Sequence, residues 1–300
     1  QSCKAACPNG VDTPLAMLLG KMVFGSLEDS RLPEERTVQA RRILLRHRLK
    51  LAFLPILIHG MEALKSWETV KTMVFRLMGI FPKDDRSGPD SQNDVVVFPG
   101  CSLQQQAKEM TALRAVLRAS GKHASVLSSP QCCGWPALET ADFGLHEVMV
   151  KSLFRFLKKN GARKVVFACA KCLYNFKIID TIYSLPPAES GLVKNAVDLY
   201  SFLDSTSFPV ATPLSSTATF HDPCVQCRGL KIVDQPRRML RQLLSKPIVE
   251  SRKDGSCCGY GHGFFLRDPD LGKAVLQDRL AFLESKKPQL VVSTDIQCLD

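Results

Sequence analysis

The sequence lacks several features that would assign it to a common class of protein. Its longest apolar stretch, residues 51–61, is interrupted by Pro55 and is about half as long as the roughly 20 residues that a membrane span needs. No GxGxxG motif is present, so any FAD or NAD is expected on a partner chain. No strip of alternating basic and aromatic residues is present either, which argues against nucleic acid as a partner.

Charge and hydrophobicity set a second group of limits. The chain has 300 residues, of which 45% are hydrophobic, so about two domains with ordinary cores are expected. The formal net charge is +11, and the basic residues are densest in residues 31–50. A solvated face, a face covered by a partner, and an anionic membrane surface all suit this charge. We expect residues 31–78 to be a docking surface, either for another subunit or for the inner face of a membrane.

Twelve cysteines are the most unusual feature of the composition. Two pairs are adjacent in sequence, Cys132–Cys133 and Cys257–Cys258, and adjacent cysteines are poor candidates for an ordinary structural disulfide. A disulfide framework is also typical of small secreted domains, whereas this chain has a full core composition. The cysteines therefore indicate metal or cluster binding in a reducing compartment, so a cytoplasmic location is expected.

Short apolar strands alternate with helices from residue 94 onward, which predicts an α/β fold with parallel sheets. The pattern occurs twice, about 125 residues apart, so two homologous modules are expected at 94–185 and 217–300, joined by a proline-containing linker at 186–216. The predicted strands are 94–100, 123–129, 164–170, 217–223, 247–251 and 290–294, and the predicted helices are 102–120, 141–160, 237–245 and 270–285.

In each module the cysteines follow predicted strands. The carboxyl ends of parallel strands share one edge of a sheet, where ligands collect. Nine thiols are therefore expected to converge at two sites: Cys101, Cys132, Cys133, Cys169 and Cys172 in module one, and Cys224, Cys257, Cys258 and Cys298 in module two. Thiolates in such number select zinc, Cu(I) or iron–sulfur clusters. Five thiols exceed the four that one tetrahedral zinc ion uses, which favours iron–sulfur over a zinc-binding structural module.

The first residues carry a further motif. Cys3 and Cys7 stand in the spacing C-x₃-C-P, which is the end of the ferredoxin run C-x₂-C-x₂-C-x₃-C-P. Residues 1–30 are therefore predicted to be the tail of a ferredoxin-type [4Fe–4S] domain, with two further ligands before Gln1. Residues 31–93 are predicted to be a basic helical segment followed by a polar linker.

Several residues beside the cysteines have open roles. His221 and His262 are next to predicted ligands, where each could orient a ligand, move a proton or occupy a turn without a special role. Asp222 is predicted to cap the turn before the following helix. Cys227 has no counterpart in module one, and the sequence leaves its role as a ligand open.

With these motifs the chain resembles the cysteine-rich CCG-domain family. That family includes the iron–sulfur subunits of glycolate and lactate oxidases, the small subunit of anaerobic glycerol-3-phosphate dehydrogenase, and heterodisulfide reductase subunits. The resemblance covers residues 94–300, and the ferredoxin tail extends it to residue 1. The motifs that carry it are FPGC (98–101), CCGWP (132–136), ACAKC (168–172), HDPC (221–224), CCGYG (257–261) and IQC (296–298).

The resemblance implies an iron–sulfur electron-transfer subunit of a multi-subunit oxidoreductase. Electrons would come from a flavin-containing dehydrogenase subunit acting on a 2-hydroxy acid such as glycolate or lactate. They would leave through other iron–sulfur or membrane subunits to a quinone or another carrier. The five cysteines of module one are similar to heterodisulfide reductase, which implies the alternative of thiol–disulfide chemistry at a noncubane [4Fe–4S] cluster. Module two, with four cysteines, is similar to the hydroxy-acid oxidase subunits and is expected to be a relay or a structurally degenerate copy.

Overall fold

The computed structural model describes residues 94–299, apart from 129–130, 140–141, 209, 211, 251–254, 262–267 and 286. The predicted ferredoxin tail with Cys3 and Cys7, the predicted basic helical segment and the predicted docking surface at 31–78 all lie outside these residues. Both predicted cysteine modules lie within the described part of the chain.

Module one is built on a sheet of four parallel strands: β1 (Val95–Phe98), β2 (Ser125–Val126), β3 (Lys164–Phe167) and β4 (Val197–Asp198). Their order across the sheet is β2-β1-β3-β4. Residues 96–98 and 165–167 are at most 1% exposed. Continuous runs of valine and phenylalanine form these strands because helices cover both faces of the sheet.

Seven helices accompany this sheet: α1 (Cys101–Gln104), α2 (Ala107–Ala119), α3 (Trp135–Glu139), α4 (Phe143–Lys159), α5 (Ala170–Ile182), α6 (Pro187–Asn195) and α7 (Leu199–Leu203). Helices α2 and α7 pack with Val97 and Val166 on one face of the sheet. Helices α4 and α5 pack with Phe98 and Phe167 on the other face, where Phe176 completes an aromatic cluster.

Module two has the same plan with fewer elements. Its strands β5 (Ala218–His221) and β6 (Leu290–Ser293) pair in parallel. Between and after them are a short π-helix (Val225–Gly229), helices α8 (Asp234–Leu243) and α9 (Pro269–Glu284), and a 3₁₀ helix (Ile296–Cys298). The core is small and centres on Phe220 and Leu240. Leu290 and Val291 of β6 are each 39% exposed, whereas the matching strand β3 is almost fully buried.

The long helix between the Cys-Cys-Gly turn and the next strand, α4 in module one and α9 in module two, begins in the same way in both modules. The Asp142 side chain accepts a hydrogen bond from the Leu145 backbone N–H at 2.9 Å, and Asp268 accepts one from Leu271 at 3.1 Å. Such N-caps satisfy backbone donors that the first turn of a helix leaves unpaired. The repeated order of strand, cysteine, Cys-Cys-Gly turn, capped helix and strand confirms the prediction of two homologous parallel α/β modules.

Several elements differ from the prediction. The predicted helix 102–120 is two helices, because the backbone of Gln106 is extended and the side chain of Gln104 is buried against the Leu127 carbonyl. The described residues of the predicted strand 247–251 form no strand. Pro247 has no N–H to donate, and Val249 makes a single backbone bond, to Ala218. The segment predicted as a linker, 186–216, carries α6, β4 and α7, and β4 extends the first sheet. No helix in the described residues is long and apolar enough to cross a membrane.

Candidate metal centres

The first cysteine site (Cys101, Cys132, Cys133, Cys169 and Cys172) lies at the carboxyl edge of the first sheet. Cys101 follows β1 and Cys169 follows β3, and these strands are neighbours in register, with Phe98 opposite Phe167. Cys172 lies in the first turn of α5, and the adjacent pair Cys132–Cys133 lies in the turn before α3. The structure therefore brings together all five thiols that the sequence predicts for module one, and none of the five forms a disulfide.

Gly100 allows this convergence. Its φ is +82°, and a Cβ at this position would lie 2.8 Å from Cys169 Cβ and 3.3 Å from Cys172 Sγ. Only glycine adopts such a backbone without strain, and only a residue without a side chain leaves room for these two cysteines. The glycine therefore sets how closely β1 and the start of α5 approach each other at the site.

Contacts among the five thiols change the pKa of several of them. Hydrogen bonds from Cys132 and Cys172 lower the pKa of Cys133 to about 6, against the opposing effect of burial. The hydrogen bonds to Cys133 and Cys169, together with burial, raise the pKa of Cys172. The hydrogen bond to Cys132 and burial likewise raise the pKa of Cys101. Sulfur atoms held this closely form a donor set for a soft metal rather than five separate thiols.

The second cysteine site (Cys224, Cys257, Cys258 and Cys298) repeats this arrangement in module two. Cys224 follows β5 and Cys298 follows β6, and these two strands are parallel neighbours. The Sγ atoms of Cys258 and Cys298 are 3.3 Å apart. Hydrogen bonds from Cys224 and Cys258 lower the pKa of Cys257 well below its usual range, and the hydrogen bond from Cys258 lowers that of Cys298 to about 6.

The two Cys-Cys-Gly turns share one detail. The backbone N–H of Gly134 points to Cys132 Sγ at 3.5 Å, and that of Gly259 points to Cys257 Sγ at 3.3 Å. Both glycines have positive φ, +94° and +84°. A backbone N–H directed at sulfur favours the thiolate, the form that binds metal. These donor sets fit an iron–sulfur cluster at each site, since such clusters are held by cysteine thiolates.

A buried polar chain supports the turn of the first site. The backbone carbonyl of Cys133 accepts a hydrogen bond from Asn175 Nδ2 at 2.7 Å. Asn175 Oδ1 contacts His146 Nε2 at 3.2 Å, and His146 Nδ1 contacts the Tyr183 hydroxyl at 2.7 Å. Because Asn175 Oδ1 can only accept, Nε2 carries the ring proton and Nδ1 accepts from Tyr183. This series of hydrogen bonds fixes the position of the Cys133 backbone.

His146 gives this support a pH dependence. Burial lowers its pKa to about 4, against the opposing hydrogen bond to Asn175. In the unfolded state this histidine has an ordinary pKa near 6.5 and binds a proton at a pH where it stays neutral in the folded state. The stability of the protein therefore falls as the pH drops below about 6.5. Relative to His146→Gln, we expect the free energy of unfolding to fall by about 2 kcal/mol more between pH 7.5 and 5. Urea unfolding of both proteins at several pH values measures this difference. Parallel pH profiles would contradict it.

A buried ion pair lies beside the second site. The Arg237 guanidinium binds Asp222 through two hydrogen bonds of 2.7 and 2.8 Å, and it also binds Glu250 at 2.9 Å. Asp222 is 3% exposed and Arg237 is 1% exposed. The prediction that Asp222 caps a turn was therefore wrong, since its carboxylate anchors β5 to α8. Sequence alone gave no signal for Arg237, because it lies 15 residues away on an otherwise amphipathic helix.

One lysine links the two modules beside their sites. Lys171, at the start of α5, lies 3.6 Å from Asp295 and also hydrogen-bonds to Gln297 Oε1. Gln297 in turn donates to Ser102 Oγ at 3.0 Å. Burial alone would lower the pKa of Lys171, but Asp295, Cys169 and Cys298 raise it to about 12. A permanent positive charge therefore acts on one thiol of each site.

Three residues whose roles the sequence left open have different outcomes. Cys227 lies on the π-helix and is 7% exposed, and its role as a ligand stays open. His262 lies outside the described residues. His221 is buried at the second site, where one of its ring nitrogens and the Sγ atoms of Cys258 and Cys298 lie within 4.8 Å of one another.

Comparison with known proteins agrees with this duplicated arrangement. The family model described as "Cysteine-rich domain", CCG, matches residues 95–177 and 218–299. The chain is 27% identical to one subunit of the dihydromethanophenazine:CoB–CoM heterodisulfide reductase of Methanosarcina barkeri, covering 64% of this chain and 49% of that protein. It is 26% identical to an uncharacterized iron–sulfur protein of Methanococcus maripaludis, covering 68% and 38%. It is 23% identical to lactate utilization protein A of Bacillus licheniformis, covering 56% and 72%. The chain thus spans less than half the length of the first two relatives.

Proposed function

Because this chain belongs to the cysteine-rich CCG domain family, we propose that it is an iron–sulfur electron-transfer subunit of a multi-subunit oxidoreductase. The observation that carries the proposal is the convergence of nine thiols, none of them in a disulfide, at two equivalent sheet edges. The name of the Methanococcus relative, an iron–sulfur protein, supports the same cofactor. When bound, an iron–sulfur cluster supplies electron transfer at a potential that its surroundings set.

The residues divide into ligands and supports. The first cysteine site would hold a [4Fe–4S] cluster, and its five thiols, one more than a cubane uses, favour a noncubane cluster there. The second would hold a cluster with its four thiols. Cys3 and Cys7 would be two of the ligands of a ferredoxin-type cubane. Asn175 and the two turn glycines orient the thiols, and Lys171 offsets part of the negative charge that thiolates bring into a buried site.

The partners follow from what the chain lacks. With no dinucleotide-binding motif of its own, it would receive electrons from a flavin-containing dehydrogenase subunit. A 2-hydroxy acid such as lactate or glycolate is the proposed substrate of that subunit, in line with the lactate utilization relative. The electrons would leave through other iron–sulfur or membrane subunits to a quinone or another carrier. The predicted docking surface, residues 31–78, would bind this assembly to a partner or to the cytoplasmic face of a membrane.

Each site is expected to lose its own cluster when one buried thiol is removed. Cys133→Ala should lower the iron content of the anaerobically purified protein by about four atoms per chain, and Cys258→Ala should lower it by a similar amount. The electron paramagnetic resonance signals that the two variants lose should differ, because the ligand sets differ. Cys133→Ala is also expected to remove most turnover. Identical spectra and equal losses of activity would contradict the assignment of different roles to the two sites.

A second candidate function rests on the fifth thiol of the first site. A cluster that uses four thiolates there would leave one sulfur or one iron available to a substrate sulfur, as disulfide or heterodisulfide reduction requires. Experiments on the complex purified anaerobically from its native host can distinguish the two functions. Reduction of the clusters by a 2-hydroxy acid, with flavin absorbance in the complex, supports the first. Reoxidation of the reduced clusters by a disulfide, with no response to hydroxy acids, supports the second.

A further inference from the structure

The two modules place different residues at one pair of equivalent positions. Phe98 ends strand β1 and His221 ends the equivalent strand β5. Leu153 is the eleventh residue of α4, and Arg279 is the eleventh residue of α9. In module one both residues belong to one apolar core cluster. In module two both are polar, and each is only 2% exposed. A polar pair therefore replaces an apolar one beside the second cysteine site.

Arg279 determines which nitrogen of His221 carries the proton. Arg279 Nε lies 3.0 Å from His221 Nδ1. A guanidinium group has donors and no acceptor, so Nδ1 must accept this hydrogen bond. In the neutral imidazole the proton is then on Nε2. A nitrogen that carries a proton has no lone pair to give to a metal ion, so this arrangement disfavours His221 as a ligand and makes Nε2 a donor.

The second cysteine site provides sulfur atoms that can accept a hydrogen bond from this Nε2–H. Nε2 is buried and makes no hydrogen bond to the described residues. Candidate acceptors for it are the Sγ atoms of Cys258 and Cys298, which lie with a His221 nitrogen inside one group of atoms 4.8 Å across. Leaving a buried N–H without a partner would cost roughly 1–3 kcal/mol.

We propose that His221, held in one tautomer by Arg279, donates its Nε2–H to the thiolates of the second site and so raises the reduction potential of the cluster bound there. The inference rests on the proposed iron–sulfur function. Reduction adds negative charge to a cluster and its thiolates. An N–H donor and the positive charge of Arg279 stabilise that charge, and hydrogen bonds to sulfur are a recognised determinant of cluster potential. At the first site Phe98 and Leu153 provide neither an N–H donor nor a positive charge, so the two clusters are expected to differ in reduction potential.

The test transfers the apolar pair of module one to module two. The double variant H221F/R279L of the full, cluster-loaded chain avoids leaving the Arg279 Nε–H without the acceptor that His221 provides. His221→Gln provides the rescue, because a glutamine amide can accept from Arg279 through oxygen and donate to sulfur through nitrogen. His123→Phe is the matched control, since His123 is exposed and lies away from both sites. A redox titration followed by electron paramagnetic resonance gives the potential of each site, and Cys258→Ala identifies the signal of the second.

In the double variant, the ratio of reduced to oxidised second-site cluster at a fixed potential is expected to fall at least tenfold, a shift of 59 mV for one electron. The first-site signal should not move. His221→Gln should stay near the wild-type potential, and His123→Phe should match it. An unchanged second-site potential in the double variant with normal iron content would overturn the proposal. So would loss of second-site iron in His221→Gln, because that would make His221 a ligand. Absence of iron from the wild-type protein would instead refute the proposed function.

Discussion

Replacement of Arg237 by methionine is expected to lower the free energy of unfolding by about 3–5 kcal/mol. The guanidinium group is 1% exposed and is bound by the carboxylates of Asp222 and Glu250. Methionine would fill much of the volume but would leave the Asp222 carboxylate buried without a counter-ion. Because Asp222 follows His221 and precedes Cys224 by two residues, the loss is also expected to loosen the second cysteine site. Urea unfolding of the anaerobic protein measures the effect.

Arg238→Met is the matched control for this variant. Arg238 is the next residue of the same helix and forms an ion pair of similar geometry with Asp204, at 2.6 and 2.7 Å. Its side chain is 47% exposed, and ion pairs at such positions contribute at most about 1 kcal/mol. A large difference between the two variants would show that burial, rather than the ion pair itself, sets the effect. Equal losses of stability would contradict the prediction for Arg237.

Gly259→Ala is expected to abolish cluster binding at the second site while leaving the first site loaded. Gly259 has a φ of +84°, and a Cβ at this position would lie 2.2 Å from the Gly272 carbonyl oxygen and 3.2 Å from the Leu276 nitrogen. Both obstacles are backbone atoms of α9, so the helix or the Cys257–Cys258 turn must move. Iron content should fall by about four atoms per chain, with the first-site spectrum retained.

Gly161→Ala separates this clash from backbone strain. Gly161 has a φ of +69°, but a Cβ there would meet nothing within 4 Å. Alanine at this position should therefore cost only the roughly 1–2 kcal/mol of a left-handed backbone and leave the iron content unchanged. Retention of both clusters in Gly259→Ala, or an equal loss of iron from Gly161→Ala, would mean that the close approach to α9 does not shape the second site.

The sequence was sufficient to predict the convergence of the cysteines. Strands with buried apolar runs are parallel and share one carboxyl edge, so Cys101 and Cys169, which each follow such a strand, had to meet. The same reasoning joined Cys224 to Cys298. This prediction succeeds because the end of a strand fixes the position of each of these thiols, and an apolar run in the sequence marks the strand clearly.

The residues that support the sites could not be predicted in this way. His221 and Arg279 are 58 positions apart, and Arg237 lies 15 positions from Asp222. Each arginine is on a helix where a basic residue usually faces solvent, so only the tertiary packing shows that it is buried. His146 likewise occupies the helix position that Gly272 has in module two, fourth from the start of each helix. The sequence marks the repeat but not which copy carries the polar side chain.

The most direct test of the central claim is metal analysis of the full chain purified under anaerobic conditions. If the two cysteine sites hold iron–sulfur clusters, the protein should contain at least about eight irons per chain, a similar amount of acid-labile sulfide, and little zinc. Reconstitution with iron and sulfide should restore this content in protein that lost metal during purification. Stoichiometric zinc with no iron after reconstitution would contradict the account and would identify the modules as zinc-binding structural units.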